Sequence, residues 1–149
     1  MSKEIERKFL VSGEFSHLAI NKIEIIQGYL SVDPARIVRI RTFDSRSVIT
    51  IKAPEENAKF ARNEWEIEIP FSTAQEILRI CLPGRIHKTR YIVPYRDHKF
   101  EVDQFHGKND GLIIAEIELA YEDELFDKPD WLGEEVTGRP EFNNSNLIK

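Results

Sequence analysis

The sequence predicts a mainly β (α+β) fold: an eight-stranded antiparallel barrel closed into a tunnel with a charged lumen, with a few helices packed outside. Three observations predict it. Apolar and charged residues alternate with period two along most of the 149 residues, the pattern of strands with two unlike faces. The charges keep nearly one sign within each strand. The connections are mostly short, which suits antiparallel neighbours, and eight such strands are enough to close a barrel.

The elements follow in order. Residues 4–10 (EIERKFL) form the first strand, and 13–20 a short helical turn. Residues 25–31 (IIQGYLS) form the second strand; Asp33-Pro34 turns the chain into a third at 36–43 (RIVRIRTF). Asp44 to Ser47 turn into a fourth strand at 48–53, a polar loop covers 54–59, and 62–70 (RNEWEIEIP) is the fifth. Residues 72–82 predict the one clear helix. Ser72 and Gln75 have capping-box spacing, Ile77, Leu78, Ile80 and Cys81 supply the apolar stripe, and Pro83-Gly84 ends it. Strands at 86–94, 99–104 and 112–119 follow, the last two joined by the GKNDG turn at 107–111. The tail, 122–149, reads as helical turns packed on the body. The whole chain, 1–149, reads as one domain.

Residues two apart on a strand share a face. Glu4, Glu6 and Lys8 therefore lie opposite Ile5 and Phe9, and Arg39 and Arg41 opposite Val38 and Ile40. Thr50 and Lys52 oppose Ile49 and Ile51; Glu64, Glu66 and Glu68 oppose Trp65, Ile67 and Ile69. Lys88 pairs with Arg90, Glu101 with Asp103, and Glu116 with Glu118. An ordinary sheet would turn these charges to water. Against that, the third, fourth and sixth strands are basic and the fifth, seventh and eighth acidic, and Arg and Glu stand where a solvated face would also use Thr, Ser, Gln and Asn. Like charges at this spacing repel unless opposite charges, metal ions or anions face them. A closed lumen supplies all three.

Such a lumen suits a polyanion. Arg forks and Lys ammoniums bind phosphate oxygens, and clustered carboxylates bind hard divalent cations such as Mg²⁺ or Mn²⁺. Phosphoryl transfer needs little beyond positioning, charge neutralisation and an aligned water. There is no Gly-rich phosphate loop, no Ser-His-Asp constellation and no credible His-metal cluster. His17, His87, His98 and His106 are scattered along the chain and read as surface or structural residues, and Cys81 as helix core. The net charge of −5 argues against a nucleic-acid partner. No apolar run approaches the ~20 residues of a membrane span, so no membrane partner is expected. One cysteine excludes a disulfide framework; a cytoplasmic location is the simplest expectation.

Glu4-Ile5-Glu6-Arg7-Lys8 reads Glu-x-Glu-x-Lys and resembles the signature of the CYTH superfamily, the triphosphate tunnel metalloenzymes. Arg39-x-Arg41, Thr50-x-Lys52, Arg62-x-Glu64-x-Glu66, Lys88-x-Arg90, Glu101-x-Asp103 and Glu116-x-Glu118 follow in order. The tail segments Trp131 to Gly133, Glu135 to Thr137 and Asn143 to Leu147 also resemble short bacterial members, although Phe142 stands where similar chains often carry an aromatic hydroxyl. The resemblance implies a tunnel that takes a small-molecule triphosphate and requires Mg²⁺ or Mn²⁺. It implies that Glu4, Glu6, Glu116 and Glu118 hold the metal, and that Lys8, Arg39, Arg41, Lys52, Lys88 and Arg90 contact phosphates. Glu64, Glu66 and Asp103 would bind a second metal or orient the attacking water. Arg62 and Glu68 continue the pattern toward the rim; Glu101 faces the lumen or pairs with a neighbouring cation. The leading expectation is hydrolysis of inorganic tripolyphosphate to pyrophosphate and phosphate. The alternatives are a nucleoside or thiamine triphosphatase, a class IV-type adenylate cyclase and a non-catalytic polyphosphate sensor. The sequence does not fix the oligomeric state and leaves a homodimer open.

Overall fold

The computed structural model describes residues 1–59 and 61–148; Phe60, and Lys149 at the end of the expected tail, lie outside the described residues. Nine strands and one α-helix follow along the described chain: β1 (Ser2–Val11), β2 (Asn21–Ser31), β3 (Ile37–Phe43), β4 (Arg46–Pro54), β5 (Ala61–Glu68), α1 (Phe71–Ile80), β6 (Ile86–Tyr95), β7 (His98–Phe105), β8 (Ile113–Glu118) and β9 (Leu132–Glu135). The expected helical turns near residue 16 and in the tail are short 3₁₀ segments.

The strands hydrogen-bond in the order β5-β4-β3-β2-β6-β7-β8-β1, and β5 returns to β1. Eight antiparallel strands thus close the barrel, as the alternation predicts. The return is short: Ser2 to Ile5 pair with Glu64 to Ala61. The remainder of that β1 edge is taken by β9, with Phe9 opposite Glu135 and Val11 opposite Leu132. The tail was expected to hold helical turns alone. It supplies this ninth strand because β1 outruns β5 and leaves backbone donors and acceptors needing partners.

Two-residue turns join β3 to β4 and β6 to β7, pairing Phe43 with Arg46 and Tyr95 with His98. Asp44 and Arg96 take positive φ there. The helix starts one residue earlier than its spacing predicts. Pro70 is the N-cap and no side chain caps the first turn, so the expected Ser72–Gln75 box does not form. Ser72 sits inside the first turn, past the N-cap position from which a hydroxyl caps a helix. Helix α1 lays Ala74 and Leu78 on Ile40 and Ile49.

Most of the apolar core lies outside the barrel wall. Phe9, Val93, Phe100, Val102 and Ile117 point outward and are covered by Phe15, Phe126 and Trp131. The lumen itself is not wholly ionic. At one end Tyr29, Ile86, Phe105 and Ile114 meet Phe142, Leu147 and Ile148 of the tail. This apolar seal turns the tunnel into a pocket with one closed end. Gly84 makes it possible: at φ +94°, a Cβ there would lie 2.0 Å from the Ile148 carbonyl oxygen.

Candidate functional site

The barrel closes around a cavity of about 150 Å³ whose walls are almost entirely charged or polar. Its basic side comes from β3 and β6, through Arg39, Arg41, Lys88 and Arg90, joined by Lys8 of β1 and Lys52 of β4. Its acidic side comes from β1, β5, β7 and β8, through Glu4, Glu6, Glu64, Glu66, Glu101 and Glu116. Strand alternation delivers each of these inward while its apolar neighbours face out.

Register decides which charges meet. Lys52 lies opposite Glu64, and Arg90 opposite Asp103. Some wall charges are therefore already balanced. Lys52 Nζ lies 2.8 Å from Glu4 Oε1 and 3.5 Å from Glu64 Oε2. Arg62 reaches Glu4 and Glu6 at 3.1 and 3.3 Å. Asp103, buried beneath the cavity, takes Arg90 on both oxygens at 2.8 and 2.9 Å, and Lys88 at 2.7 Å.

Other charges are left facing their own kind. Glu6 lies opposite Glu118, and Glu101 opposite Glu116, an arrangement that destabilises a sheet. Burial and the neighbouring Glu6 push the Glu116 carboxyl up, while Glu6, which shares a hydrogen bond with it, stays below the ordinary range under the pull of Lys52 and Lys8. Burial and Glu4 raise Glu64 to about 7. Glu4 itself, despite burial, is drawn down to about 2 by Lys52 and Arg62. Glu6 with Glu116 and Glu4 with Glu64 are thus carboxyl pairs close enough to raise one partner of each. A divalent cation satisfies such a donor set better than a proton does, since clustered carboxylate oxygens are its natural ligands.

The basic side shows the mirror-image strain. Burial, with Arg39 and Arg90 nearby, presses Arg41 down to about 9. A guanidinium does not give up its proton at neutral pH, so the shift expresses the cost of holding a cation among cations. Arg41 Nε donates to Gln27 at 3.1 Å. Arg39 Nε is buried with no hydrogen-bond partner. Burial likewise lowers Lys88 to about 7, Arg90 and Arg41 adding to the effect and Asp103 opposing it. An anion entering from the open end would meet donors already aimed and underused.

The tail closes the other end with oxygen atoms. Lys88 Nζ donates to Asn144 Oδ1 at 2.8 Å, and Lys8 Nζ to the Phe142 carbonyl at 3.2 Å. The missing aromatic hydroxyl at position 142 is no loss to this contact, which uses the main chain.

Residues 2–145 match the family model of the CYTH domain. The chain belongs to the CYTH family. Among curated CYTH-like relatives, the chain is 44% identical over 150 residues to a protein of Acetivibrio thermocellus named inorganic triphosphatase, spanning all of this chain and 95% of the relative. It is 33% identical over 148 residues to the inorganic triphosphatase of Nitrosomonas europaea, covering 97% and 95% of the two chains. A solved structure of an inorganic triphosphatase superposes with a TM-score of 0.67 at 31% identity, covering 97% of this chain and 96% of that one.

Of the residues that the CYTH pattern singles out, all but Thr50, Asp103 and Glu118 line the cavity; Thr50 is buried, its hydroxyl 3.4 Å from Glu66 Oε2. Asp103 is fully buried outside the lining, holding Arg90 on both oxygens and Lys88 on Oδ2. Glu118 stands exposed at the open rim, its carboxyl raised by partial burial and by Glu4, Glu101 and Glu6. Arg62 and Glu101 both line the cavity, and Glu101 also pairs with Arg90 at 3.1 Å. Sequence reading missed Gln27, fully buried between Arg41, Tyr29 and Asn144; a lone amide in an apolar strand carries no pattern to flag it. It also read the histidines as scattered and forming no metal cluster, yet His87 and His106 lie with ring centroids 4.8 Å apart, tilted at 52°, on the outer wall beside Glu24. Among the described residues, no helix is long and apolar enough to cross a membrane.

Proposed function

We propose that this CYTH chain is an inorganic triphosphatase: tripolyphosphate and water give pyrophosphate and phosphate, with Mg²⁺ or Mn²⁺ required. The observation that carries this reading is the cavity's double imbalance. One side gathers Arg39, Arg41, Lys88 and Arg90, with the Arg39 Nε unpartnered, and the other gathers Glu4, Glu6, Glu64, Glu66, Glu101 and Glu116. A linear triphosphate accompanied by a divalent cation satisfies both walls at once. The relatives named inorganic triphosphatase support the same substrate.

Glu4, Glu6 and Glu116 would hold the cation, with Glu118 at the rim; bound there, it would neutralise phosphate charge and polarise the anhydride oxygens. Arg39, Arg41 and Lys88 would hold phosphate oxygens, and Lys8 and Lys52 would complete the cradle. Arg90 would be aimed by Asp103. These donors are fixed before substrate arrives, so they stabilise charge developing in the transition state without reorganisation. Glu64, with a pKa near neutrality and an open path to the cavity, would take the proton of the attacking water, with Glu66 beside it. Asp103 has a positioning role in place of the water-binding role expected from sequence.

The lining favours a short inorganic chain over a nucleotide. Only Tyr29 and Ile37 among the described lining residues offer an aromatic or aliphatic surface for a base. The test is a product assay over tripolyphosphate, ATP, GTP and thiamine triphosphate, each with Mg²⁺ and with Mn²⁺. Phosphate release fastest from tripolyphosphate is expected. Cyclic AMP from ATP, or tight tripolyphosphate binding without turnover, would overturn the proposal.

A further inference from the structure

Strand alternation places a second set of side chains on the outside of the same wall. On β6, His87 and Thr89 point outward between the inward-facing Lys88 and Arg90. Glu24 of β2 lies opposite Thr89, and His106 follows β7, its backbone N–H donating to the His87 carbonyl at 2.9 Å. Three neighbouring strands therefore present Glu24, His87 and His106 at one spot. A carboxylate oxygen and one nitrogen from each ring all lie within 4.8 Å of one another.

We propose that Glu24, His87 and His106 form an exterior binding site for a borderline transition-metal ion of the Zn²⁺ class, separate from the carboxylate cluster in the lumen. Two imidazoles and one carboxylate are the donor set that such ions select, whereas Mg²⁺ and Mn²⁺ favour oxygen-rich sites. The outer sphere is also in place. Thr89 Oγ1 donates to Glu24 Oε1 at 2.9 Å and so leaves Oε2, 3.1 Å from His87 Nε2, turned toward the rings. Such a partner fixes the orientation of a ligating carboxylate. Thr89 Oγ1 also meets His106 Nε2 at 2.7 Å. A ring turn or a shift of that contact brings His106 onto the ion. Glu24 and His87 are about half exposed, which gives an ion entry and leaves room for water in the fourth position. Binding would tie β2, β6 and β7 together directly behind Lys88.

The test is Zn²⁺ titration of the full-length protein by calorimetry in excess Mg²⁺, so that the lumenal carboxylates are already occupied. One Zn²⁺ per chain is expected, with a raised Tm. Affinity should fall at least tenfold in H87A/H106A and in E24Q, and should persist in E116Q. The double variant should keep its Mg²⁺-dependent tripolyphosphate turnover, which also reports that it is folded. As a second readout, Co²⁺ should broaden the ring signals of His87 and His106 before those of His17 and His98. No Zn²⁺ binding above the Mg²⁺ background, or binding that survives loss of both histidines, would overturn the proposal.

Discussion

Asp103 grips Arg90 with both carboxylate oxygens, Nε to Oδ1 at 2.8 Å and Nη2 to Oδ2 at 2.9 Å, from beneath the cavity floor. The same carboxylate holds Lys88 at 2.7 Å. Two cavity-lining cations thus share one buried anion. Asp103→Asn keeps the shape and removes the charge. Breaking such a buried pair costs about 3–5 kcal/mol, measurable by denaturant unfolding. Because Arg90 loses its aim, the KM for tripolyphosphate should rise more than kcat falls. An unchanged KM would remove Asp103 from the positioning role.

Glu116→Gln separates the metal from the fold. Glu116 is raised by burial and by Glu6, so in metal-free protein its negative charge is a burden and its loss should not lower the Tm. In the enzyme assay the loss of one preorganised contact should cost roughly 3 kcal/mol of barrier, about 10²-fold in kcat, together with a higher half-saturating metal concentration. Full turnover at the ordinary metal concentration would exclude Glu116 as a ligand.

The pH dependence carries a sign that tests the carboxyl pairs. Glu64 sits at about 7 in the folded protein against an ordinary 4.5. The fold keeps a proton there that the unfolded chain has lost. Its contribution to stability is therefore complete below about pH 4.5 and disappears as the pH rises to about 7. Glu116 and Glu118 shift in the same direction. Glu4, held down to about 2, has the opposite sign, but its contribution is lost only as the pH falls from 4.5 toward 2. In EDTA, Tm should therefore decline from pH 4.5 to 7 more steeply in wild type than in Glu64→Gln. Mg²⁺ must displace those protons, so its stabilising effect should be larger at pH 8 than at pH 6. An equal Mg²⁺ effect at both would contradict the raised Glu64 carboxyl.

The barrel was legible because closing it demands alternation, and alternation is visible residue by residue: Glu4-Ile5-Glu6 and Arg39-Ile40-Arg41 assign their own faces. What the sequence does not carry is which strand lies beside which. Asp103 and Arg90 belong to different strands, and only the β6–β7 register shows that Asp103 is consumed by its neighbour. His87 and His106 meet for the same reason. The ninth strand escaped because Leu132 to Glu135 is too short to show a period, and its pairing depends on how far β1 runs past β5. The apolar seal escaped because Tyr29, Ile86, Phe105 and Ile114 share lumenal faces with Gln27, Lys88 and Asp103. Depth along the barrel, not face, decides which of them are polar.

Arg41 tests whether the basic wall is held for function at a cost to the fold. It is buried, it is pressed down to about 9 by burial, Arg39 and Arg90, and its Nε contact is to the neutral oxygen of Gln27. A buried cation without a matched anion is destabilising, and a well-packed apolar residue of similar length often relieves it. Arg41→Met should therefore raise the Tm of the ligand-free protein. The same change should cost about 10²-fold in kcat/KM, as one preorganised donor to the phosphate chain is lost, and the Tm increase that tripolyphosphate gives the wild type should shrink. The two effects must move in opposite directions. If Arg41→Met lowered stability and activity together, the guanidinium would be a structural strut, and the charge imbalance would not be what draws the polyanion in.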